Sequence, residues 1–158
     1  IKKFFPEAHH KFISYIPKEH QNNILKWFYK QLNLKERSVN LEAAAVWAEY
    51  ENSCSTLKYV ERPMSGEKSL AIAKIETHYF VNKCFISDNF IKQNIKKIAH
   101  IPAIIVQGRH DVICPPFNAL DLSKLWNAAS INLIEDAGHS GFEDNVARKL
   151  INALYMIK

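Results

Sequence analysis

The first hundred positions of the chain carry apolar side chains three and four residues apart, with no alternating pattern. Within 17–34, for example, Leu25, Phe28 and Leu32 fall on one helical face. This spacing predicts amphipathic helices, and no segment of this region predicts a strand. The predicted helices span 17–34, 38–57, 69–82 and, with weaker periodicity, 85–98.

Two signals mark boundaries within this helical region. Ser38 precedes the apolar face that opens at Leu41, and serine is a preferred helix N-cap. Pro63, Ser65 and Gly66 cluster between the second and third predicted helices. Because proline and glycine interrupt regular structure, we predict a loop there.

The pattern changes after residue 100. Residues 102–108 form a short, β-branched apolar run that ends in glycine, and residues 130–134 form a second short run. Runs of this kind are typical of strands buried on both faces of a parallel sheet. Residues at helical spacing follow each run, namely Leu120, Leu122, Leu125 and Trp126 after the first, and Val146, Leu150 and Leu154 within 145–157 after the second. This order predicts a right-handed βαβ crossover.

Together these patterns predict the α/β class and two domains. We expect residues 1–99 to form an all-helical cap and residues 100–158 to form the strands and helices of an α/β core. Two strands are few for a doubly wound sheet, and the chain starts at Ile1 rather than at a methionine. We therefore expect the N-terminal half of the sheet to lie upstream of this sequence.

Composition places the chain among ordinary globular proteins. It has 158 residues, of which 47% are apolar and 23% charged, so it can bury one sizeable core. No apolar stretch approaches the roughly 20 residues of a membrane-spanning helix, and we predict no membrane partner. The net charge is +5, but the lysines are scattered and follow no nucleic-acid-binding motif. We therefore predict no nucleic-acid partner either.

Cysteines and histidines indicate neither cross-links nor a metal. Cys54, Cys84 and Cys114 form no C-x-x-C pair, and their odd number disfavours a closed set of disulfides. A reducing, cytoplasmic setting fits this pattern best. The seven histidines follow no metal-ligand spacing, and we predict neither a metal nor another cofactor.

The residues with the clearest chemistry follow the two predicted strands. Gly108-Arg109-His110-Asp111 comes directly after the first strand, and Asp136-Ala137-Gly138-His139-Ser140 comes after the second. Functional side chains in open parallel sheets lie beyond the carboxyl ends of the strands. Asp111 is therefore predicted to orient the ring of His139, which acts as general base and then general acid. The order acid then histidine is that of an α/β-hydrolase triad.

Other residues of these loops compete for the same roles. Asp136 competes for the acid role, but it lies in the same loop as His139 and is expected to be a turn residue. Ser140 and Cys114 are nucleophiles by residue type. Ser140 lies in the histidine loop and Cys114 in the acid loop, and neither loop carries the nucleophile in this fold.

The nucleophile of α/β-hydrolases lies on a tight turn with the pattern Gly-x-Ser-x-Gly. This pattern needs two glycines four positions apart. The glycines of the chain are Gly66, Gly108, Gly138 and Gly141, and no two have that spacing. We therefore expect the nucleophile and the oxyanion hole upstream of Ile1, and we predict that this chain alone hydrolyses nothing.

Five segments of the chain share their pattern with one known family. They are Phe4-Phe5-Pro6-Glu7, Leu41-Glu42-Ala43-Ala44 with Trp47 and Glu51, Ala71–Phe80, His100–Asp111 and Asp136–Ser140. Together they resemble the proline iminopeptidases, which are serine peptidases of the α/β-hydrolase fold. The most distinctive part is Glu76-Thr77-His78-Tyr79-Phe80, although the family usually has asparagine at the position of Thr77. The two catalytic loops alone would indicate only an α/β-hydrolase.

The resemblance implies roles for six residues. These are Asp111 as triad acid, His139 as triad base, Glu51 and Glu76 as ligands of the substrate's free N-terminal amine, and Phe80 and Cys114 near the pyrrolidine ring. The family more often has Trp-Glu-Gly in the segment around Glu51, so Glu49 stays an alternative to Glu51. The resemblance implies no cofactor.

The chemistry of the implied substrate agrees with these roles. A carboxylate binds a cationic amine through charge-assisted hydrogen bonds. Glu76 and Phe80 are four residues apart and share one helix face, which places an anion beside an aromatic wall. Considered without the family, Phe80 would more simply be cap core, Glu76 a surface acid and Cys114 a buried inert thiol.

The resemblance thus implies an enzyme that releases N-terminal proline by a serine aminopeptidase mechanism, with peptides bearing a free N-terminal proline as its partners. Two alternatives stay open. The chain could belong to another lidded α/β-hydrolase, such as an esterase or an epoxide hydrolase. It could also be a hydrolase-like binding protein without activity, although intact Asp111 and His139 argue against this.

Overall fold

The computed structural model describes residues 1–60 and 66–156 and divides the chain into two compact units. The first unit comprises Ile1–Ser53 and Val60–Ser87, and the second comprises Cys54–Tyr59 and Asp88–Lys158. The described part of the first unit is helical, whereas the second unit combines helices with a parallel sheet. This mixture confirms the predicted α/β class.

The described part of the first unit is built from α-helices joined by short 3₁₀ helices. Its elements are α1 (Pro6–Ser14), a 3₁₀ helix (Lys18–Asn23), α2 (Ile24–Leu32), α3 (Arg37–Ser55), α4 (Gly66–Val81) and a second 3₁₀ helix (Lys83–Phe85). The helices predicted over 38–57 and 69–82 correspond to α3 and α4. The apolar spacing did not predict α1, whose signal is instead the proline at its first position.

Two boundary predictions in this unit are wrong. Because α3 begins at Arg37, Ser38 lies inside its first turn, and its hydroxyl donates to Glu36 Oε1 at 3.0 Å rather than capping the helix. Gly66 is the first residue of α4 rather than part of a loop. Pro63 and Ser65, assigned to the same loop, lie outside the described residues.

An aromatic core holds the helices of the first unit together. Phe12 of α1 stacks on Phe28 of α2 with ring centroids 4.9 Å apart, and Phe28 meets Trp47 of α3 edge-on at 5.3 Å. Each such pair contributes about 0.5–1.5 kcal/mol beyond the burial of its area. Thr77 of α4 is fully buried, and its hydroxyl donates to the carbonyl oxygen of Ala73 at 2.7 Å. This core fixes α3 and α4, the two helices that carry Glu51 and Glu76.

The second unit contains the sheet. In chain order its elements are α5 (Phe90–Asn94), a 3₁₀ helix (Ile95–Lys97), β1 (Ala103–Gly108), α6 (Pro116–Leu125), β2 (Ala129–Ile134) and α7 (Asp144–Met156). The strands pair in parallel, from Ala103 opposite Ala129 to Gly108 opposite Ile134. Both predicted strands and the helices after them are confirmed. Because the strands run in register, they end together at one edge of the sheet.

The single helix predicted over 85–98 is wrong. The stretch contains only the short α5 and one turn of 3₁₀ helix. Lys83, Cys84, Phe85 and Asn89 have φ angles between 51° and 63°, and a residue in this left-handed region interrupts an α-helix. The apolar spacing continues across these positions, so it gives no sign of the interruption.

Candidate active site

The loops after β1 and β2 bring an aspartate and a histidine into contact. Because β1 and β2 end side by side, the loops that follow them are neighbours. His139 Nδ1 lies 2.9 Å from Asp111 Oδ2. The Asp111 side chain is 5% exposed and that of His139 is 38% exposed, so the carboxylate is buried while the ring reaches solvent. We name Asp111 and His139 the acid–base pair.

Asp111 is surrounded by hydrogen-bond donors. Its Oδ1 accepts the backbone N–H groups of Ile113 at 3.0 Å and Cys114 at 2.7 Å. Its Oδ2 accepts the Gln107 side-chain amide at 3.1 Å in addition to the contact with His139. A buried carboxylate with this many donors is satisfied and fixed in orientation. With the ring proton on Nδ1, Nε2 of His139 is the nitrogen that accepts a further proton.

Two glycines let the acid loop and the histidine loop approach backbone to backbone. A Cβ at Gly108 would lie 1.9 Å from the carbonyl oxygen of Gly138, and His110 N–H donates to the Ala137 carbonyl at 2.9 Å. A Cβ at Gly138 would lie 2.9 Å from the backbone nitrogen of Leu57. A side chain at Gly108 would push the two loops apart and lengthen the contact between Asp111 and His139, whereas one at Gly138 would collide with the backbone of residues 55–57.

The histidine loop is also tied to the end of α3. The N–H groups of His139 and Ser140 both donate to the Ser55 carbonyl oxygen, at 2.9 and 2.8 Å. Ser140 is buried, and its hydroxyl accepts the N–H of Phe142 at 3.3 Å. These contacts give Ser140 a structural place inside the loop.

Asp136, the competitor for the acid role, has a different partner. It lies in the turn after β2 and accepts a hydrogen bond from the Asn145 side-chain amide. The carboxylate that contacts His139 is that of Asp111. The geometry therefore favours Asp111 as the group that orients the ring.

A second polar cluster lies in the first unit, where α3 faces α4. Glu51 of α3 shares a side-chain hydrogen bond with Glu76 of α4, and Trp47 Nε1 donates to Glu76 Oε2 at 2.9 Å. Burial is the main cause that raises the pKa of Glu51 to about 8, followed by the charge of Glu76 and the shared hydrogen bond. At neutral pH the proton is therefore retained on Glu51. We name Glu51 and Glu76 the carboxylate pair.

Trp47 is a member of this cluster that the sequence reasoning treated only as an apolar helix residue and family motif. Its side chain is buried, with ring centroids 5.3 Å from Phe28 and 6.1 Å from Phe12. The core thus holds the indole N–H in place toward Glu76. A detectable signal exists in the sequence, because Trp47 precedes Glu51 by one helical turn and shares its face.

Glu49, the alternative to Glu51, lies in other surroundings. Its side chain is 48% exposed and forms an ion pair with Lys11 of α1. Glu51 is the glutamate of this segment that meets Glu76. The geometry therefore favours Glu51 over Glu49 as the second carboxylate of the pair.

Phe80 and Cys114, both predicted near the pyrrolidine ring, lie in different units. Phe80 is 47% exposed on α4, one turn beyond Glu76. Cys114 belongs to the second unit, where its backbone N–H supports Asp111. Burial, and then the charge of Asp111, raise the pKa of the Cys114 thiol, which disfavours a reactive thiolate.

Metal-ligand groups and membrane-spanning helices are both absent from the described ranges 1–60 and 66–156. These residues contain no group of three or more His, Cys, Asp or Glu side chains arranged to hold a metal ion. None of the helices in these ranges combines the length and the apolar character needed to cross a membrane.

Comparison with known proteins gives matches along nearly the whole chain. It is 37% identical over 155 residues to a proline iminopeptidase of Arabidopsis thaliana, covering 94% of this chain and 41% of the relative. It is 37% identical over 144 residues to the proline iminopeptidase of Xylella fastidiosa strain 9a5c, covering 88% and 46%. For the proline iminopeptidase of Neisseria gonorrhoeae the identity is 34% over 155 residues, covering 98% and 50%. No protein-family profile matches the chain.

These matches confirm the resemblance found in the sequence motifs. They also set its extent, since the chain spans about half the length of the curated relatives it matches.

Proposed function

Starting from this similarity to the proline iminopeptidases, we propose that the chain forms the cap and the acid–base half of a serine aminopeptidase that releases N-terminal proline from peptides. In this proposal residues 1–99 are the cap and residues 100–158 belong to an α/β-hydrolase core. The observation that carries the substrate assignment is the carboxylate pair, because a protein that binds a neutral ester has no use for two adjoining, partly buried acids that share a hydrogen bond. The acid–base pair supports the reaction type.

The proposed reaction uses the acid–base pair in two steps. His139 Nε2 takes the hydroxyl proton of a serine outside residues 1–158 as that oxygen attacks the prolyl carbonyl carbon, and then gives the proton to the leaving amine. A water molecule next loses a proton to His139 and attacks the acyl-enzyme, which frees proline and returns the serine. Asp111 holds the ring in the correct tautomer throughout. This chain alone is proposed to be inactive, because the proposal places the nucleophile and the oxyanion hole outside residues 1–158.

The carboxylate pair is proposed to bind the substrate's amine. The protonated amine of an N-terminal proline carries two N–H groups, one for each glutamate, and its positive charge replaces the proton held by Glu51. An N-acylated proline has neither the charge nor these N–H groups. It would therefore leave both acids without a partner, which makes the pair selective for a free N-terminus.

Three finer assignments complete the proposal. Phe80 is proposed to offer an apolar wall to the pyrrolidine ring, and Cys114 is proposed as a further substrate-binding residue. A cytoplasmic setting is kept as part of the proposal, because three cysteines with no C-x-x-C pair suit a reducing compartment.

The test is hydrolysis of a prolyl arylamide by the parent polypeptide, with N-acetylprolyl arylamide as the control substrate. We expect cleavage of the free amine only, loss of cleavage in His139→Ala, and unchanged cleavage in the matched control His100→Ala. Turnover of a simple ester together with failure on both arylamides would contradict the substrate assignment and favour an esterase.

A separate experiment tests the proposed inactivity of residues 1–158. The isolated chain is incubated with a serine-directed fluorophosphonate and examined by intact mass. We expect no adduct, because an activated serine is required for labelling. Covalent labelling of any serine within this sequence would overturn that part of the proposal.

A further inference from the structure

The carboxylate of Glu143 joins the histidine loop to the segment that ends α3. Its Oε1 accepts the backbone N–H of Gly138 at 2.8 Å, and its Oε2 accepts the backbone N–H of Leu57 at 3.1 Å. The two donors are 81 residues apart in the sequence, as their numbers show, and both belong to the second unit. Glu143 is thus a bridge between two backbone segments rather than an isolated surface acid.

This bridge acts on the residue next to the catalytic histidine. Gly138 directly precedes His139, whose own N–H and that of Ser140 donate to the Ser55 carbonyl oxygen. Three consecutive N–H groups of the loop are therefore held by the 54–59 segment and Glu143. The absence of a side chain at Gly138 permits this approach, since a Cβ there would lie 2.9 Å from the Leu57 nitrogen.

Both bonds of Glu143 join a negative charge to a backbone donor, which is the stronger class of protein hydrogen bond. The residue also lies just before α7, where the N-terminal end of a helix favours an anion. A shift of the Gly138 backbone would move the His139 ring relative to Asp111. Because misplacement of a catalytic group by about 1 Å costs on the order of 100-fold in rate, this anchoring has a measurable consequence.

We propose that Glu143 is a positioning residue, which keeps His139 in contact with Asp111 by fixing the backbone of the histidine loop. This inference rests on the proposed function for its kinetic readout only. Glu143 touches neither the nucleophile nor the substrate in this proposal. Its loss therefore lowers kcat and leaves amine binding, and so KM, unchanged.

The experiment compares Glu143→Gln and Glu143→Ala in the parent polypeptide. The glutamine keeps the shape but has one acceptor oxygen for two donors, whereas the alanine removes both acceptors. We expect kcat on a prolyl arylamide to fall by roughly 10-fold in Glu143→Gln and by about 100-fold in Glu143→Ala, with KM within about twofold of wild type. The matched control is Glu135→Gln, an exposed glutamate of the same unit that pairs with Arg109, for which we expect wild-type kinetics.

A second readout is independent of turnover. The low-field proton resonance of His139 Nδ1–H, which reports its hydrogen bond to Asp111, is recorded by NMR. We expect it to be present in wild type and Glu135→Gln, weakened in Glu143→Gln and lost in Glu143→Ala. Far-ultraviolet circular dichroism shows whether each variant is folded, and the isosteric glutamine variant decides the question if the alanine variant does not fold.

The outcomes separate this inference from the proposed function. If wild type hydrolyses no prolyl substrate but the resonance still depends on Glu143, the proposed function fails and the positioning role stands. If wild type is active and both Glu143 variants keep wild-type kcat and the His139 resonance, the positioning role is wrong. An equal fall of kcat in Glu135→Gln would also overturn it, because the effect would then be a general response to a lost charge.

Discussion

The acid–base pair of the second unit contains a buried carboxyl group and the carboxylate pair of the first a partly buried one, and the two pairs accommodate burial differently. Asp111 is surrounded by donors from Ile113, Cys114 and Gln107 as well as the His139 ring. Glu51 lies against another acid, and its pKa is raised to about 8. One site therefore fixes a charge in place, and the other holds a proton that a cation can replace.

This difference shows how the surroundings of a carboxyl group decide its use. Donors on every side leave no room for a ligand, so Asp111 is suited to orienting a neighbouring ring. Two acids that share a hydrogen bond hold a proton whose place a cation can take, so the carboxylate pair is suited to receiving a cation. The following predictions test each half of this contrast in the parent polypeptide.

The largest effect on activity is expected when the charge of Asp111 is removed. In Asp111→Asn the side-chain amide would face His139 with a donor, which stabilises the wrong ring tautomer. By analogy with other serine-hydrolase triads we expect kcat to fall by about 10⁴-fold. The measurement is steady-state hydrolysis of a prolyl arylamide, with Asp121→Asn as the control, because Asp121 pairs with Lys92 in the same unit. Retention of more than a tenth of kcat in Asp111→Asn would show that Asp111 does not orient the catalytic base.

A smaller effect on activity is expected when Glu76, one of the two proposed ligands of the substrate amine, loses its charge. Glu76→Gln replaces a charged acceptor of the substrate amine by a neutral amide. Since hydrogen bonds to charged groups are worth about 1.5–3 kcal/mol, we expect kcat/KM for the free amine to fall by roughly 10- to 150-fold. The control is Glu67→Gln, which changes an exposed glutamate near the start of the same helix α4. Equal kinetics in the two variants would remove Glu76 from the amine site.

The two sites differed in how far they could be predicted from the sequence, because only one of them follows from patterns within single strands. The apolar runs of β1 and β2 are continuous, and residues just beyond parallel strands meet at one edge of the sheet, so Asp111 and His139 could be placed together. The apolar spacing of the helices could not predict that Glu51 pairs with Glu76. Only the resemblance to the family motifs gave these two residues a common role. Helix pairing depends on how α3 and α4 pack, which one helix's spacing does not contain.

The errors have physical causes of two kinds. Asn89 has a φ of 63°. This left-handed conformation interrupts the helix predicted over 85–98, although the apolar spacing continues across that position. Glu143 was missed because only the folded chain brings its partner Leu57 close, whereas Gln107 was missed because its contact with Asp111 depends on the turn that follows β1. A glutamate four residues after a histidine has no distinguishing pattern in a single sequence.

The third prediction concerns pH and follows from the raised pKa of Glu51, about 8. The pair binds the amine when Glu51 is deprotonated and the amine is still protonated. The kcat/KM for the prolyl arylamide should therefore rise by about tenfold per pH unit as pH approaches about 8, and fall above it as the amine loses its proton. Glu51→Gln cannot lose a proton and should not show this rise between about pH 7 and 8. The measurement is the pH profile of kcat/KM for both proteins. Identical profiles would exclude Glu51 as the titrating group.

The same group affects stability in the opposite direction. Because its folded pKa, about 8, is above the ordinary value of 4.5, Glu51 favours folding fully below about pH 4.5, and this contribution is lost as pH rises through about 8. The thermal midpoint of wild type should therefore fall relative to Glu51→Gln between about pH 5 and 8. A free prolyl amide should raise the midpoint more at pH 8 than at pH 6. A midpoint difference that does not vary with pH would contradict the shared-proton arrangement.

The smallest effect on activity is expected for Trp47, which donates a hydrogen bond to Glu76 and is not proposed to contact the substrate. Trp47→Phe keeps an aromatic ring in the core but removes the indole N–H that donates to Glu76 at 2.9 Å. Glu76 would lose a fixed donor and part of its orientation, so we expect KM to rise roughly 3- to 10-fold while kcat changes by less than about twofold. The matched control is Trp27→Phe, which removes similar volume beside the same Phe28 ring, 5.0 Å away.

This control separates packing from polarity. If Trp27→Phe raised KM as much as Trp47→Phe, the effect would come from loosening of the aromatic core. If Trp47→Phe alone raised KM and also moved the pH profile, the indole would act through the carboxylate pair. Trp47 lowers the pKa of Glu51 in opposition to burial, so its loss should move the rise in kcat/KM to higher pH. That shift distinguishes a residue that changes the pKa of Glu51 from one that only packs in the aromatic core.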